Sequence, residues 1–313
     1  MAGARRPHAL HGRTAVVTGA ARGLGKEIAR ELARRGARVA LLGREEAALR
    51  RVASSLPAAP AAPAAPAAPA APAVPAASGC WAVDVTDDDA MRQVAQEVRD
   101  RLGPASVVVA NAGIAEGGPF AESDPATWRR VIEVNLTGSA ITARSFLPDL
   151  LATHGYLLQI ASTASIGAAP LMSAYCASKA GVESFAHSLR AELAPQRVGV
   201  GIAYLNWTDT DMIRDADRHP VLRELRAHMP PPARKVYPAE WVAARLVTAV
   251  ERRAAAVYVP AWLRAAQAVR AALPAVVTGL SRRELPRLAA RTPFEATGLL
   301  GAGGRADEAH RRP

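Results

Sequence analysis

The stretch from Thr14 to Gly43 limits the possible folds more than any other part of this chain. "TAVVTG" (Thr14–Gly19) is a short β-branched run ending in glycine, the pattern of a buried strand. "GKEIARELARRGA" then places Ile28, Ala29, Leu32 and Ala33 on one helical face and closes at Gly36, and "RVALLG" reads as a second strand. Strand, helix and strand within about thirty residues form a βαβ unit, which implies a parallel sheet with a right-handed crossover. At the first strand–helix junction stands "TGAARGLG" (Thr18–Gly25). Glycines there let the backbone approach a pyrophosphate, and helix N-terminal amides supply donors and a favourable dipole.

The alternation continues. "REEAALRRVASSL" is helical, "CWAVDV" (Cys80–Val85) a third strand, and "TDDDAMRQVAQEVRDRLG" a helix that Thr86 or Asp87 can cap. "ASVVVANAG" is a fourth strand, "DPATWRRVIEVNLTGSAITARSFLPDLL" a long helix, "GYLLQIAS" a fifth strand and "VGVGIAYL" a sixth. Six strands alternating with helices predict an α/β fold with an open, doubly wound parallel sheet of Rossmann type. Between Pro57 and Ala77 the chain is repeated Pro-Ala-Ala, which forbids helix and ladder bonding and favours polyproline II. It reads as a solvated insertion or a docking motif for a proline-binding module, and not as a boundary, because the βαβ rhythm resumes after it. The expected organisation is one domain over residues 12–260, with a helical extension and a disordered tail over 261–313.

Charge and cysteine content narrow the class. The formal net charge is +11, carried mainly by arginine, which suits an anionic ligand or surface but equally a bias spread over solvated faces. Cys80 and Cys176 make no disulfide framework, and no CxxC or His-rich cluster suggests a metal. No apolar run approaches the roughly 18 residues that a spanning helix needs, and the basic N-terminus lacks a signal-peptide core. A reducing, cytoplasmic setting is the expectation.

In "SAYCASKAGVESFAHSLRAEL" (Ser173–Leu193) one residue runs against that bias, since Lys26, Lys179 and Lys235 are the chain's only lysines. Tyr175 and Lys179 stand at i and i+4 and so share a helical face. Reducing a carbonyl requires hydride from a nicotinamide and a proton for the developing alkoxide. A free tyrosine, with a pKa of about 10, is a poor base near neutrality, and an adjacent ammonium is expected to pull that value down. Lysine's compact charge suits that place, where a guanidinium has another shape.

The spacing TGxxxGxG at Thr18–Gly25, "NAG" at Asn111–Gly113 and YxxxK at Tyr175–Lys179 resembles the short-chain dehydrogenase/reductase family over about residues 12–260. The resemblance implies an active site of Ser162, Tyr175 and Lys179 extended by Asn135. Tyr175 would be the general acid/base and Lys179 its partner and a ribose ligand. Ser162 would donate to the substrate oxygen, and Asn135 would hold a water that links Lys179 to solvent. It also implies a dinucleotide held by Gly19, Arg22, Gly23, Leu24 and Gly25, by Arg44, by Asp84 and Val85, by Asn111, Ala112 and Gly113, and by Tyr175, Lys179 and Thr210. Within that set Asp84 is expected at the adenine amino group and Thr210 at the nicotinamide carboxamide. An acidic residue at the end of the second strand would select NAD(H). Here Gly43 and Arg44 stand there, with Arg22 in the turn, and two guanidinium groups favour NADP(H). The chain departs from the family where Leu205 and Asn206 replace Pro-Gly.

The stretch Asp211–Pro238 is expected to form a lid, with Trp207, Met212 and Met229 as lining or as ordinary packing residues. No basic side chain is obviously placed for a substrate carboxylate, which suggests a neutral, hydrophobic alcohol or carbonyl. Beyond it, "AWLRAAQAVRAALPAVVTGLSRREL" places Trp262, Leu263, Ala266, Val269 and Leu273 on one face, with Arg264 and Arg270 elsewhere. Such a helix packs on the core or a second subunit, or lies on an anionic membrane. The terminal "GAGGRADEAHRRP" reads as disordered. The sequence therefore predicts an NADP(H)-dependent oxidoreductase acting on a small molecule, with no nucleic-acid partner and, by resemblance, a homo-oligomeric state. The alternative is a non-catalytic NADPH-binding or membrane-associated protein on the same fold.

Overall fold

Thr14–Thr18 (β1) is buried at every position, as its β-branched, apolar sequence requires of a central strand. The structure is a computed structural model that describes residues 10–57, 78–291 and 293–311, so the Pro-Ala-Ala segment lies outside the described residues. After β1 come α1 (Gly23–Arg34), β2 (Arg38–Gly43), α2 (Glu46–Ser55), β3 (Ser78–Ala82), α3 (Asp88–Leu102) and β4 (Ala105–Ala110). Asp87 caps α3 by accepting from the amides of Asp89 and Ala90. The second half runs α4 (Pro125–Ile132), α5 (Gly138–Ala152), β5 (Tyr156–Ile160), α6 (Thr163–Ile166), α7 (Ser173–Leu193) and β6 (Gly199–Leu205). Three short lid helices follow, α8 (Asp211–Ala216), α9 (Pro220–Ala227) and α10 (Pro231–Arg234), then α11 (Ala239–Glu251) and β7 (Ala256–Val259). The chain ends with α12 (Leu263–Ala268), α13 (Leu273–Ala289) and α14 (Gly301–Arg311).

All seven strands are parallel neighbours in the order β3-β2-β1-β4-β5-β6-β7. This is the doubly wound Rossmann-like sheet expected, with one strand more than the six the sequence suggested. β7 pairs with β6 from Ile202↔Ala256 to Leu205↔Val259. Its four residues "AVYV" follow a run of alanines, too short a pattern to separate from a helix end before the edge pairing exists. Two apolar layers cover the sheet. One joins Val17, Leu41 and Val109 to Ile28 of α1, Leu49 of α2 and Leu246 of α11, and the other joins Val16, Leu42 and Val108 to Met91 of α3, Phe146 of α5 and Ala186 of α7.

Three expectations change. The third strand is Ser78–Ala82 and not Cys80–Val85, so Asp84 and Val85 belong to the loop at its carboxyl end. The single long helix from Pro125 to Ala152 contains a π-type turn at Glu133–Thr137, one extra residue per turn at the place where Asn135 faces inward. The C-terminal "GAGGRADEAHRRP" is not unstructured in its described part. It forms α14, and its Asp307 is fully buried. Composition alone makes that segment too polar and glycine-rich to fold, and ion pairs together with amide–carboxylate bonds hold it.

The basic amphipathic stretch is also split. It forms α12, a 3-10 turn at Arg270–Ala272, and α13 with Pro274 in its first turn, where a missing amide hydrogen costs little. Leu263 is fully buried, and Trp262, Ala266 and Leu273 pack against the core. Arg270 donates to Glu183 at 2.7 Å and to the Ser165 carbonyl at 2.8 Å. Four of the five residues expected on the apolar face thus pack on the protein itself, whereas Val269 is 57% exposed. No helix among the described residues is long and apolar enough to cross a membrane.

Candidate active site

A cleft of about 690 Å³ opens along the carboxyl ends of the strands, where the order reverses between β1 and β4. Its floor is the glycine turn. Gly19 has φ +65°, and a Cβ there would lie 2.9 Å from Ala112 Cα. A Cβ on Gly25 would lie 2.3 Å from the Gly19 carbonyl oxygen, so neither position admits a side chain. Thr18 Oγ1 accepts from the amides of Asn111 (3.0 Å) and Ala112 (3.1 Å), and Asn111 Nδ2 donates to the Thr18 carbonyl at 3.0 Å. The threonine and asparagine of the two motifs thus fasten β1 to β4. No side chain caps α1, which leaves its first amides and its dipole directed at the cleft. Glycines that exclude Cβ atoms and an uncapped helix start suit a pyrophosphate.

The residues expected at the chemistry come together on one wall. Ser162, Tyr175 and Lys179 all line the cleft, with Ser162 close enough to the Tyr175 hydroxyl to favour its phenolate. Ser162 Oγ also accepts from the Ala164 amide at 3.2 Å, which fixes it at the start of α6. The Lys179 ammonium lies 5.8 Å from the Tyr175 ring centroid and donates to the Ile160 carbonyl at 2.9 Å. Burial pushes the Tyr175 phenol above its ordinary value, with the Ser162 hydroxyl acting in the opposite direction. Burial also pulls the Lys179 ammonium down, to about 8. The expected depression of the phenol by the ammonium is therefore not the ruling effect, because desolvation acts on both groups.

Asn135 is fully buried. Its Oδ1 accepts from the Ile114 amide at 2.8 Å, and its Nδ2 donates to the Ile114 carbonyl and to Ser178 Oγ, each at 2.9 Å. The side chain thus braces the strand end after "NAG" against α7, with both Nδ2 hydrogens used and Oδ1 keeping a second acceptor site. Gly113 lies between Asn135 and Lys179, since a Cβ there would stand 3.2 Å from Asn135 Oδ1 and 3.6 Å from Lys179 Nζ.

The adenosine end differs from expectation. Arg22, Gly23, Leu24, Arg44, Asp84, Val85 and Ala112 all line the cleft, but the charged groups among them already have partners. Arg22 pairs with Glu45. Arg44 pairs with Asp307 and donates to the Gly303 carbonyl at 2.9 Å. Asp84 accepts from the Thr86 amide and hydroxyl (3.0 and 2.8 Å) and from Arg130 at 2.5 Å. Burial opposes its ionisation, but the Thr86 bonds and the Arg130 charge outweigh that and hold its carboxyl below the usual range. Arg130 also donates to Asp307 and Glu133, and these carboxylates raise its guanidinium above the ordinary value despite burial. Sequence reasoning missed Arg130 and Asp307, because neither stands in a recognisable motif and their meeting needs the fold.

On the opposite side Thr210 starts α8 against Gly23, 3.3 Å from the position of a Cβ there. Leu205 and Asn206, which stand where the resemblance implies Pro-Gly, make a defined structure of their own. Thr163 donates to the Leu205 carbonyl at 2.8 Å, and Asn206 Nδ2 donates to the carbonyls of Ala233 and Lys235, each at 3.1 Å. That amide ties the lid to the end of β6. Trp207, Met212 and Met229 line the cleft, with Met172, Leu222 and Trp262, and α13 adds Leu273, Val276 and Leu280.

Comparison with known proteins bears on the family and the fold. Residues 13–220 match the short chain dehydrogenase family. A galactitol 2-dehydrogenase (L-tagatose-forming) from Cereibacter sphaeroides is 35% identical over 243 residues, 77% of this chain and 89% of that protein. A cis-4-hydroxycyclohexanecarboxylate dehydrogenase from Sinomonas cyclohexanicum is 34% identical over 204 residues, 64% of this chain and 75% of that protein. A solved short-chain type dehydrogenase/reductase from Mycobacterium marinum superposes with a TM-score of 0.67 at 23% identity, over 80% of this chain and 94% of that one.

Proposed function

The chain belongs to the short-chain dehydrogenase family and is an oxidoreductase acting on CH–OH groups, and from that premise we propose that it interconverts a neutral, largely apolar secondary alcohol and its carbonyl with NADP(H). The observation that carries this reading is the sharing of one cleft wall by Ser162, Tyr175 and Lys179, beside a glycine turn that admits no side chain. A bound nicotinamide supplies or accepts the hydride. The Tyr175 phenol, held neutral by burial, donates a proton to the developing alkoxide and takes one back in the reverse direction. Ser162, next to that hydroxyl, turns its own proton toward the substrate oxygen, where negative charge grows. Lys179 remains cationic below about pH 8 and lowers the cost of the phenolate when it forms. Asn135 positions α7 and the "NAG" turn relative to each other, and its remaining Oδ1 lone pair is the place for the water that links Lys179 to solvent.

Apolar side chains support the substrate class: Met172, Met212 and Leu222 share an apolar cluster with Tyr175, and Met229, Trp262 and Leu273 line the same cleft. Two guanidinium groups support the cofactor choice, since Arg22 and Arg44 each hold a carboxylate that a phosphate of the ligand can replace. The relatives named as dehydrogenases of a sugar alcohol and of a hydroxylated ring support the alcohol–carbonyl chemistry. By family resemblance the working form is a cytoplasmic homo-oligomer.

The test follows NADPH oxidation over a panel of apolar ketones and aldehydes, with NADH in parallel and Tyr175→Phe as control. The expected result is turnover with NADPH on at least one ketone and loss of about 10³-fold or more in Tyr175→Phe, which still binds NADPH. Equal turnover by wild type and Tyr175→Phe sinks the assignment of the proton donor, and preference for NADH sinks that of the cofactor.

A further inference from the structure

Asp307 of α14 is a fully buried carboxylate inside the cleft, held by side chains from both of its walls. Arg44 reaches it from the end of β2, and Arg130 reaches it from α4 with both Nε and Nη2 at 2.9 to 3.1 Å. Arg130 is the same side chain that grips Asp84 at the end of β3. The residues that would receive the adenosine ribose are thus bridged by one carboxylate of the chain's own C-terminal segment. A carboxylate and a phosphate make the same demand on a guanidinium: anionic oxygens in its plane, accepting charge-assisted hydrogen bonds.

The hold on α14 is mostly ionic. Its described residues are glycine, alanine and charged side chains, and it has no large apolar residue of its own. Besides Asp307 it is fastened by Arg305 to Asp215 at 2.7 Å, by the Gly301 amide to the same carboxylate at 2.7 Å, and by Glu308 to the Leu299 amide at 2.9 Å. The apolar anchor lies just before it, where Leu299 and Leu300 are buried. Gly298 (φ +64°) and Gly301 (φ +77°) flank those two leucines in the left-handed region, which gives the helix a turning point on either side of its anchor. A helix tied by exchangeable ion pairs beyond a fixed anchor can leave while the segment before it stays.

We propose that α14 is an intramolecular latch: Asp307 occupies the subsite of the ribose 2′-phosphate on Arg44 and Arg130, and a 2′-phosphorylated adenosine ligand must displace it to bind. The inference rests on the NADP(H) reading and adds to it a built-in competitor. Two anions cannot share the Arg44 guanidinium without repulsion, so docking of α14 and binding of a 2′-phosphate exclude each other. A ligand with a free 2′-hydroxyl brings no anion to that position and gains nothing by displacing Asp307. The docked helix therefore weakens the two classes of dinucleotide unequally, and the apparent affinity for the phosphorylated one is reduced by the fraction of molecules with α14 released.

The experiment titrates 2′,5′-ADP and 5′-ADP separately into the full chain, into Asp307→Asn, and into a chain ending at residue 300. Binding is followed by calorimetry. Both variants are expected to bind 2′,5′-ADP at least about tenfold more tightly than the full chain, with 5′-ADP changed by less than about twofold. In the unaltered chain, 2′,5′-ADP is expected to speed hydrogen exchange in residues 301–311, a readout independent of how well the variants fold. Unchanged affinity and unchanged exchange overturn the latch while leaving the cofactor reading intact. An equal gain for both nucleotides overturns the match to the 2′-phosphate. If 2′,5′-ADP binds no better than 5′-ADP to any of the three proteins, it is the NADP(H) reading that fails, and the latch falls with it.

Discussion

Lys179→Met is the perturbation whose outcome the structure defines most closely. Lys179 is 4% exposed, and its ammonium is pulled from 10.5 to about 8 by burial. In the unfolded chain the same group titrates at its ordinary value, so between about pH 8 and 10.5 the unfolded state binds more protons than the native state. Stability must therefore rise with pH across that window. The cost of burying the charge is fully present below pH 8, amounts to roughly 3 kcal/mol there, and is relieved as the unfolded lysine also deprotonates. Methionine has nearly the same length and no charge, so it removes this dependence. It also leaves the Ile160 carbonyl without its donor, a loss of about 1 to 3 kcal/mol that does not vary with pH. The stability of wild type minus that of Lys179→Met should thus increase by about 2 kcal/mol between pH 6.5 and 9.5. Urea unfolding of both proteins across that range measures it, and the subtraction cancels every group that titrates equally in the two. A difference that stays flat, or that falls with pH, refutes the claim that the ammonium is buried at a desolvation cost. On the proposed mechanism the variant should also lose nearly all turnover.

Other outcomes follow from single contacts. Gly25→Ala places a Cβ 2.3 Å from the Gly19 carbonyl and should destabilise the protein by about 1 to 3 kcal/mol while abolishing dinucleotide binding, as a thermal melt with and without NADPH would show. Asn206→Ala removes both tethers to Ala233 and Lys235, so proteolysis of the lid should speed up and KM for the carbonyl should rise, with the melting temperature reduced by a few degrees. In the Asp307→Asn background, where α14 no longer competes, Arg44→Ala should raise KM for NADPH by about tenfold or more and leave that for NADH nearly unchanged in steady-state assays, the loss of one guanidinium–phosphate contact. Rates of carbonyl reduction measured against pH should decline as Lys179 loses its charge near pH 8, and a profile flat to pH 10 would contradict the partnership of Lys179 and Tyr175.

Two periodicities and three spaced motifs were enough to determine the parallel sheet, the glycine turn and the placing of Tyr175 one turn from Lys179. All of these are local: strand and helix repeats act over a few residues, and the motifs sit at the junctions of those elements. Asp87 was readable as a cap for the same reason. What the sequence alone left open depends on residues far apart along the chain. β7 exists because an edge of β6 was free to pair, and Asn135 turns inward because the peptide of Ile114 meets it there. The acidities of Tyr175 and Lys179 are fixed by how completely the fold excludes water, which no spacing encodes, and this is why charge pairing was a poor guide to the phenol. The same holds for Arg44: its chemistry was legible at once, but its partner Asp307 is separated from it by most of the chain, and only the folded molecule brings that carboxylate into the cleft.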